Sequence, residues 1–213
     1  MRMQAGLSRN WRVVIAAGLC ALAGCQASYF MMGKEPKKTV GAEFGKLEGK
    51  TTAIVVWCDQ ATLDTDAKAR FRVADTVRYY MQRDIKKAKF ANVREITEYQ
   101  EQSGSDWEGL TNVELGKRFK ADYVIRIDLV EYTARARDAR EVLKGRVRAT
   151  ISVYDVEHAG GDRPVYTTEV AATYPQDGRT DTLNATDLDV INGALRSFGE
   201  KVSQKFFEHE EAY

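Results

Sequence analysis

Apolar positions along this chain change their period several times, and each change marks an element. Residues 51–58 (Thr-Thr-Ala-Ile-Val-Val-Trp-Cys) form a continuous apolar run rich in β-branched residues, the pattern of a strand buried on both faces. After a polar loop at 59–66, Phe71, Ala74, Val77, Met81, Ile85 and Ala88 recur near helical spacing across 67–89. Asp66 is placed to cap that helix, Lys86, Lys87 and Lys89 sit at the negative end of its dipole, and Asn92 supplies a left-handed stop. Residues 93–96 (Val-Arg-Glu-Ile) read as a short strand and 98–109 as a polar connection. Thr111-Asn112-Val113-Glu114 matches a capping box opening a short helix to about Lys120.

The next three segments alternate with period two. Ile125, Ile127 and Leu129 share one side of a strand at 123–132, with Arg126 and Asp128 on the other. Across 146–154, Val147, Ala149, Ile151 and Val153 face one way and Arg146, Arg148, Thr150 and Ser152 the other. A turn through Gly160-Gly161-Asp162 leads to a third strand at 165–174, completing an antiparallel meander. Leu188, Ile191, Leu195, Phe198, Val202 and Phe206 then form one helical stripe, followed by the acidic tail Glu208, Glu210 and Glu211. The order β-α-β-α-β-β-β-α predicts an α+β fold, an α/β sandwich with helices mainly on one face of a mixed sheet whose other face stays partly polar.

The first residues follow different rules. Arg2, Arg9 and Arg12 precede an apolar stretch at 13–21, too short for a permanent span, which runs into Leu22-Ala23-Gly24-Cys25. That is the order of a signal peptide, and its last four residues resemble the bacterial lipobox. By that resemblance Cys25 takes a diacylglycerol, residues 1–24 are removed and Cys25 becomes the acylated, palmitate-bearing N-terminus. Cleavage as an ordinary secretory signal, leaving Cys25 a free thiol, is the other reading. Gln26 is not the Asp that signals inner-membrane retention in such lipoproteins, which implies the outer membrane, facing the periplasm. Residues 25–50, with four glycines, Pro36 and the basic cluster Lys34, Lys37 and Lys38, read as anchor and tether, either resting on anionic head groups or solvated. The domain proper is then 51–207 and the tail 208–213.

Composition adds exclusions. The chain has 213 residues, 30% charged, with a formal charge of +1, so no global field draws nucleic acid, which is not an expected partner. Removing 1–24 takes away three Arg and no acid, leaving the charge slightly negative. It also removes Cys20 and leaves Cys58 the one free thiol, whose place at the end of an apolar run suits a small buried hydrophobe. His158 lies in the Gly-rich turn and His209 in the tail, neither with a ligand or triad partner at useful spacing, so no metal and no cofactor is expected. Asp64 and Asp66, or Asp187 and Asp189, could serve acid–base chemistry, although acids before a helix usually cap it. A hydrolase working through the acids of 59–66 is the weakest of the functional readings.

The most pointed local feature is the hairpin segment carrying Arg135, Arg137, Arg140, Lys144, Arg146 and Arg148 against Asp138 and Glu141. Such a patch binds lipid phosphates, lipopolysaccharide or an acidic partner, or is a solvated hairpin closed by cross-strand ion pairs. A second surface is the wet face bearing Arg126, Asp128, Thr150, Ser152, Thr167 and Glu169.

Residues 117–125 (Lys-Arg-Phe-Lys-Ala-Asp-Tyr-Val-Ile), followed by a long hairpin ending Ile151-Ser152-Val153-Tyr154-Asp155-Val156, resemble a pattern of envelope lipoproteins. The group includes the curli secretion lipoprotein, penicillin-binding-protein activator lipoproteins and the N-terminal domain of TolB. The resemblance spans roughly 51–207 by element order and implies the fold. The chain lacks length for the inserted hairpins of a curli-type barrel, so a pore is not expected. Together these readings lead to a non-enzymatic, lipid-anchored periplasmic module that binds an envelope partner or assembles with itself. Within that class it would be an auxiliary lipoprotein of a lipid or export transporter, or a regulator of cell-wall synthesis.

Overall fold

The computed structural model describes residues 37–135, 142–157, 161–176 and 185–212. They form two units, one comprising 37–40 together with 209–212, the other the described residues of 41–208. In the first, β1 (Lys37–Val40) pairs antiparallel with a closing strand, β7 (His209–Ala212), and Lys37 bonds Glu210 at 3.0 Å. The tail expected after the last helix is therefore partly a strand, with Glu211 set opposite Lys38.

In the larger unit, β2 (Thr51–Trp57) lies parallel to β3 (Lys89–Phe90) on one side and to β4 (Tyr123–Arg135) on the other. β5 (Leu143–Asp155) and β6 (Tyr166–Tyr174) continue as an antiparallel meander, giving the order β3-β2-β4-β5-β6. As the continuous apolar run predicts, β2 is buried on both faces. Ile54 and Val56 enter a large core under α2 (Ala69–Asp84) and α5 (Asp187–Gln204), while Ala53 and Val55 enter a smaller one. The two long helices share one face, as the sequence pattern implies. The second face is covered over β2 and the start of β4 by α3 (Val93–Gln102), a 3-10 turn (Asp106–Gly109) and α4 (Asn112–Arg118).

Several local expectations are corrected. Residues 93–96 open helix α3 instead of forming a strand: Val93, Ile96, Thr97 and Gln100 make a buried stripe at helical spacing. Asn92 is its N-cap, accepting the Arg94 amide at 3.0 Å, and the left-handed residue after α2 is Lys87, φ 57°. The polar connection hides Trp107, which is fully buried. Residues 60–65 form a short helix, α1 (Gln60–Thr65), capped by Asp59 through the Thr62 amide at 2.8 Å. Asp66 does not cap α2; its carboxylate turns inward and bonds Tyr132. Thr111 and Glu114 make the expected capping box, and Thr186 with Asp189 makes another at the start of α5.

Residues 41–50, read above as tether, belong to the larger unit. Phe44 is buried among Tyr123, Tyr166 and Phe206, and the Glu43 and Phe44 amides both donate to the Lys205 carbonyl. Leu47 has no exposed surface, and Tyr166 donates to Glu43, with burial first and that carboxylate next pushing the phenol up to about 12. Glycine spacing gives this stretch the look of a linker, but Phe44 and Leu47 close the end of the core.

Candidate functional site

The polar face of β4, β5 and β6 is built by strand alternation. Even-numbered residues of β5 up to Ser152 and odd-numbered residues of β6 point away from the main core, and among the described residues no helix packs on them; Tyr154, at the end of β5, packs instead against the smaller core under α4. β4 needs a correction to join this face along its length. Its register with β5 shifts between Leu129 and Glu131, so Val130 is an inserted residue, 55% exposed. The insertion reverses the alternation: Ile125, Ile127 and Leu129 point into the core before it, and Tyr132 after it. Glu131 thereby moves to the polar face opposite Arg148.

The result is a ladder of charges across three strands. Glu131 lies 3.7 Å from Arg146 and 3.8 Å from Arg148, and Arg148 reaches Glu169 on β6 at 3.3 Å. Arg126 bonds Asp128 at 2.8 Å, and the Ser152 and Thr167 hydroxyls meet at 3.3 Å. The basic count read from the hairpin alone therefore misses its counterions, which come from β4 and β6. Each pair is individually worth about 0–1 kcal/mol at such exposure, so the ladder fixes pattern more than it adds stability.

Arg135 leaves the ladder for a different partner. At the neck of the hairpin, where Arg135 faces Leu143, its guanidinium forks onto Asp187 at the start of α5, at 2.6 and 3.2 Å. Lys144 is half-buried on β5, and Arg137 and Arg140 lie outside the described residues. Cys25, the expected lipidation site, lies outside them too, as does His158.

Beneath the Arg135–Asp187 pair opens a cleft of about 380 Å³, lined by Thr65, Asp66, Arg72, Tyr132, Thr133, Ala134, Arg135, Asp187, Leu188 and Ile191. Inside it the Tyr132 hydroxyl donates to Asp66 Oδ2 at 2.7 Å, the Lys68 amide donates to Asp66 Oδ1 at 3.0 Å, and Arg72 Nε approaches Oδ2 at 3.1 Å. Burial first, and then the Asp66 carboxylate, hold the Tyr132 phenol far above its ordinary value, so it remains a proton donor to Asp66. Of the paired acids singled out in sequence, Asp66 and Asp187 meet in this cleft. Asp64 stays on exposed α1 bonded to Gln60, and Asp189 is a cap. Cys58 is buried and free, and burial pushes its thiol up, the setting of a packing residue.

Arg72, Glu131 and Tyr132 were not singled out in sequence. The one signal for the last two was the adjacent apolar pair Leu129-Val130, which breaks strict alternation and marks the bulge.

No family model matches the chain, and no curated protein matches it. Among solved structures, the PelC dodecamer from Paraburkholderia phytofirmans is 15% identical, with a TM-score of 0.44 over 81% of this chain and 98% of that one. Lipoprotein GNA1162 from Neisseria meningitidis is 13% identical, with a TM-score of 0.41 over 62% of this chain and 88% of that one. The hypothetical protein CT253 from Chlamydia trachomatis is 8% identical, with a TM-score of 0.43 over 72% and 93%. Likenesses of this size transfer neither activity nor partner.

Proposed function

We propose that this protein is a non-enzymatic binding or assembly module of the bacterial envelope, tethered by lipid at Cys25 to the periplasmic leaflet of the outer membrane. The lipobox-like run at 22–25, behind its basic flank and apolar stretch, supports the location. The element order, with its resemblance to the curli secretion and synthase-activator lipoproteins, agrees with that setting. The observation that carries the binding role is the uncovered polar face: its charges are held in register by three paired strands, Glu131 to Arg146 and Arg148 to Glu169. A fixed alternation of sign selects a partner by complementarity and rejects mismatched surfaces.

In-cell photo-crosslinking tests this. A photoreactive residue at Thr167 or Glu169 should capture one defined envelope protein, and the same residue at Tyr79, exposed on the helical side, should not. A transporter subunit in the adduct identifies an export auxiliary, a wall synthase identifies a regulator, and a second copy of the chain identifies self-assembly. Equal, nonspecific labelling from both faces would contradict the assignment.

A further inference from the structure

The cleft under the hairpin neck has a chemistry of its own, separate from the polar sheet face. Asp66 is fully engaged, by the Tyr132 hydroxyl, the Lys68 amide and Arg72. Asp187 is engaged by the fork of Arg135. Arg72 is the group left short. Its Nε is buried and, although 3.1 Å from Asp66 Oδ2, lacks an aligned acceptor; among the described residues its terminal amino groups carry no hydrogen bond. A guanidinium in a part-buried cleft with unused N–H groups is a seat for a planar anion, which it grips with two parallel bonds.

The rest of the lining narrows the class. Leu188, 45% exposed, and the buried Ile191 stand one turn apart on α5 and form an apolar wall. Two carboxylates already in the cleft disfavour a dianion, because each added negative charge meets Asp66 and Asp187 at close range. The volume, about 380 Å³, lies within the range of small-molecule sites, roughly 300–1,000 Å³.

We propose that this cleft binds a small carboxylate with a short apolar stem, its head on Arg72 and its stem on Leu188 and Ile191, the Arg135–Asp187 pair closing the mouth. Asp66 and Tyr132 act as positioning residues, holding the Arg72 stem while leaving its terminal donors to the ligand.

The test uses the lipidated full chain in detergent micelles, with the methyl signals of Leu188 and Ile191 followed by NMR as sodium butanoate, sodium acetate, butyl phosphate or butylammonium chloride is added. Butanoate should shift both signals saturably. Acetate, lacking the stem, and the dianionic butyl phosphate should bind several-fold more weakly, and butylammonium should leave the signals unchanged. Arg72→Gln should weaken butanoate binding by about tenfold or more, with Arg72→Lys between it and the wild type, because ammonium keeps the charge without the fork. Should Arg72→Gln fail to fold, Leu188→Asn, at an exposed position, should bring butanoate down to the level of acetate. Absence of saturation with butanoate, equal response to butylammonium, or unchanged affinity in folded Arg72→Gln would overturn the proposal. The proposal is independent of the anchor and of the sheet-face partner, so loss of either leaves this titration unchanged.

Discussion

Replacing Phe198 with Ala should lower the unfolding free energy by about 3–5 kcal/mol, the range for a buried aromatic cut back to a methyl. Phe198 is fully buried at the middle of α5, on the stripe formed with Ile191, Ala194, Leu195 and Val202. That stripe is the main contact of α5 with the cores of β4, β5 and β6, and the neighbouring strands are too constrained by their ladders to collapse into the space. Against the usual total of about 5–15 kcal/mol, such a loss leaves the fold near its threshold. Equilibrium urea unfolding should show the midpoint falling with little change in slope. Leu188→Ala, on the same helix but half-exposed, should cost less than about 1 kcal/mol. Equal losses in the two variants would show that α5 does not pack as described.

The second large effect comes from adding a single carbon. Gly145 on β5 lies directly beneath the α5 backbone, and a Cβ there would stand 2.2 Å from the Val190 carbonyl oxygen and 3.1 Å from the Ala194 Cβ. The nearest obstacle is main chain, so no rotamer change relieves the clash and the first turns of α5 must move. Overpacking of this kind costs about 1–3 kcal/mol and occasionally more. Gly109→Ala, with open space around the added methyl, is the control and should be nearly neutral. Thermal unfolding should separate the two variants by several degrees. Because Asp187, Leu188 and Ile191 ride on the displaced turns, Gly145→Ala should also disturb the neck cleft, whereas Gly109→Ala should not.

Much of this architecture is legible in the chain because period and burial coincide. β2, β5, β6 and α5 follow from runs whose apolar spacing matches one element and whose apolar face has one place to go. Reading fails where the local pattern is shorter than the element it belongs to. Val93 and Ile96 fit either a four-residue strand or the first turn of a helix, and only Thr97 and Gln100, both polar, extend the helical stripe. Gln100 is buried because its amide donates to the Val56 carbonyl at 2.9 Å, a partner that no local pattern announces. The capping boxes at Thr111 and Thr186 lie within a few residues, although only the first was picked out; the cleft is assembled from 65–72, 132–135 and 187–191, segments that share no motif. Of its polar members, Asp66 and Asp187 stand out as acids beside a helix and Arg135 as a hairpin arginine, whereas nothing local marks Arg72 or Tyr132. The β-bulge at Val130 brings Tyr132 to Asp66, and a one-residue insertion leaves only a doubled apolar position as its trace.

Charge follows the same division. The near-neutral total in the composition averages over a basic N-terminal stretch, a hairpin rich in Arg and acids held elsewhere in the fold. Tertiary pairing redistributes it: Glu131, Glu169 and Asp187 each neutralise an arginine distant from them in sequence. What the proposed binding would read is the order of the signs on the sheet, and that order depends on strand register in the way that hydrophobic alternation does.

The central claim is that this domain works at a membrane surface because Cys25 carries lipid. Metabolic labelling with radioactive palmitate, comparing the wild-type chain with Cys25→Ala, tests it most directly. The account predicts label on the wild type, none on the variant, and release of the variant from the outer-membrane fraction; equal labelling and equal membrane association of the two chains would contradict it.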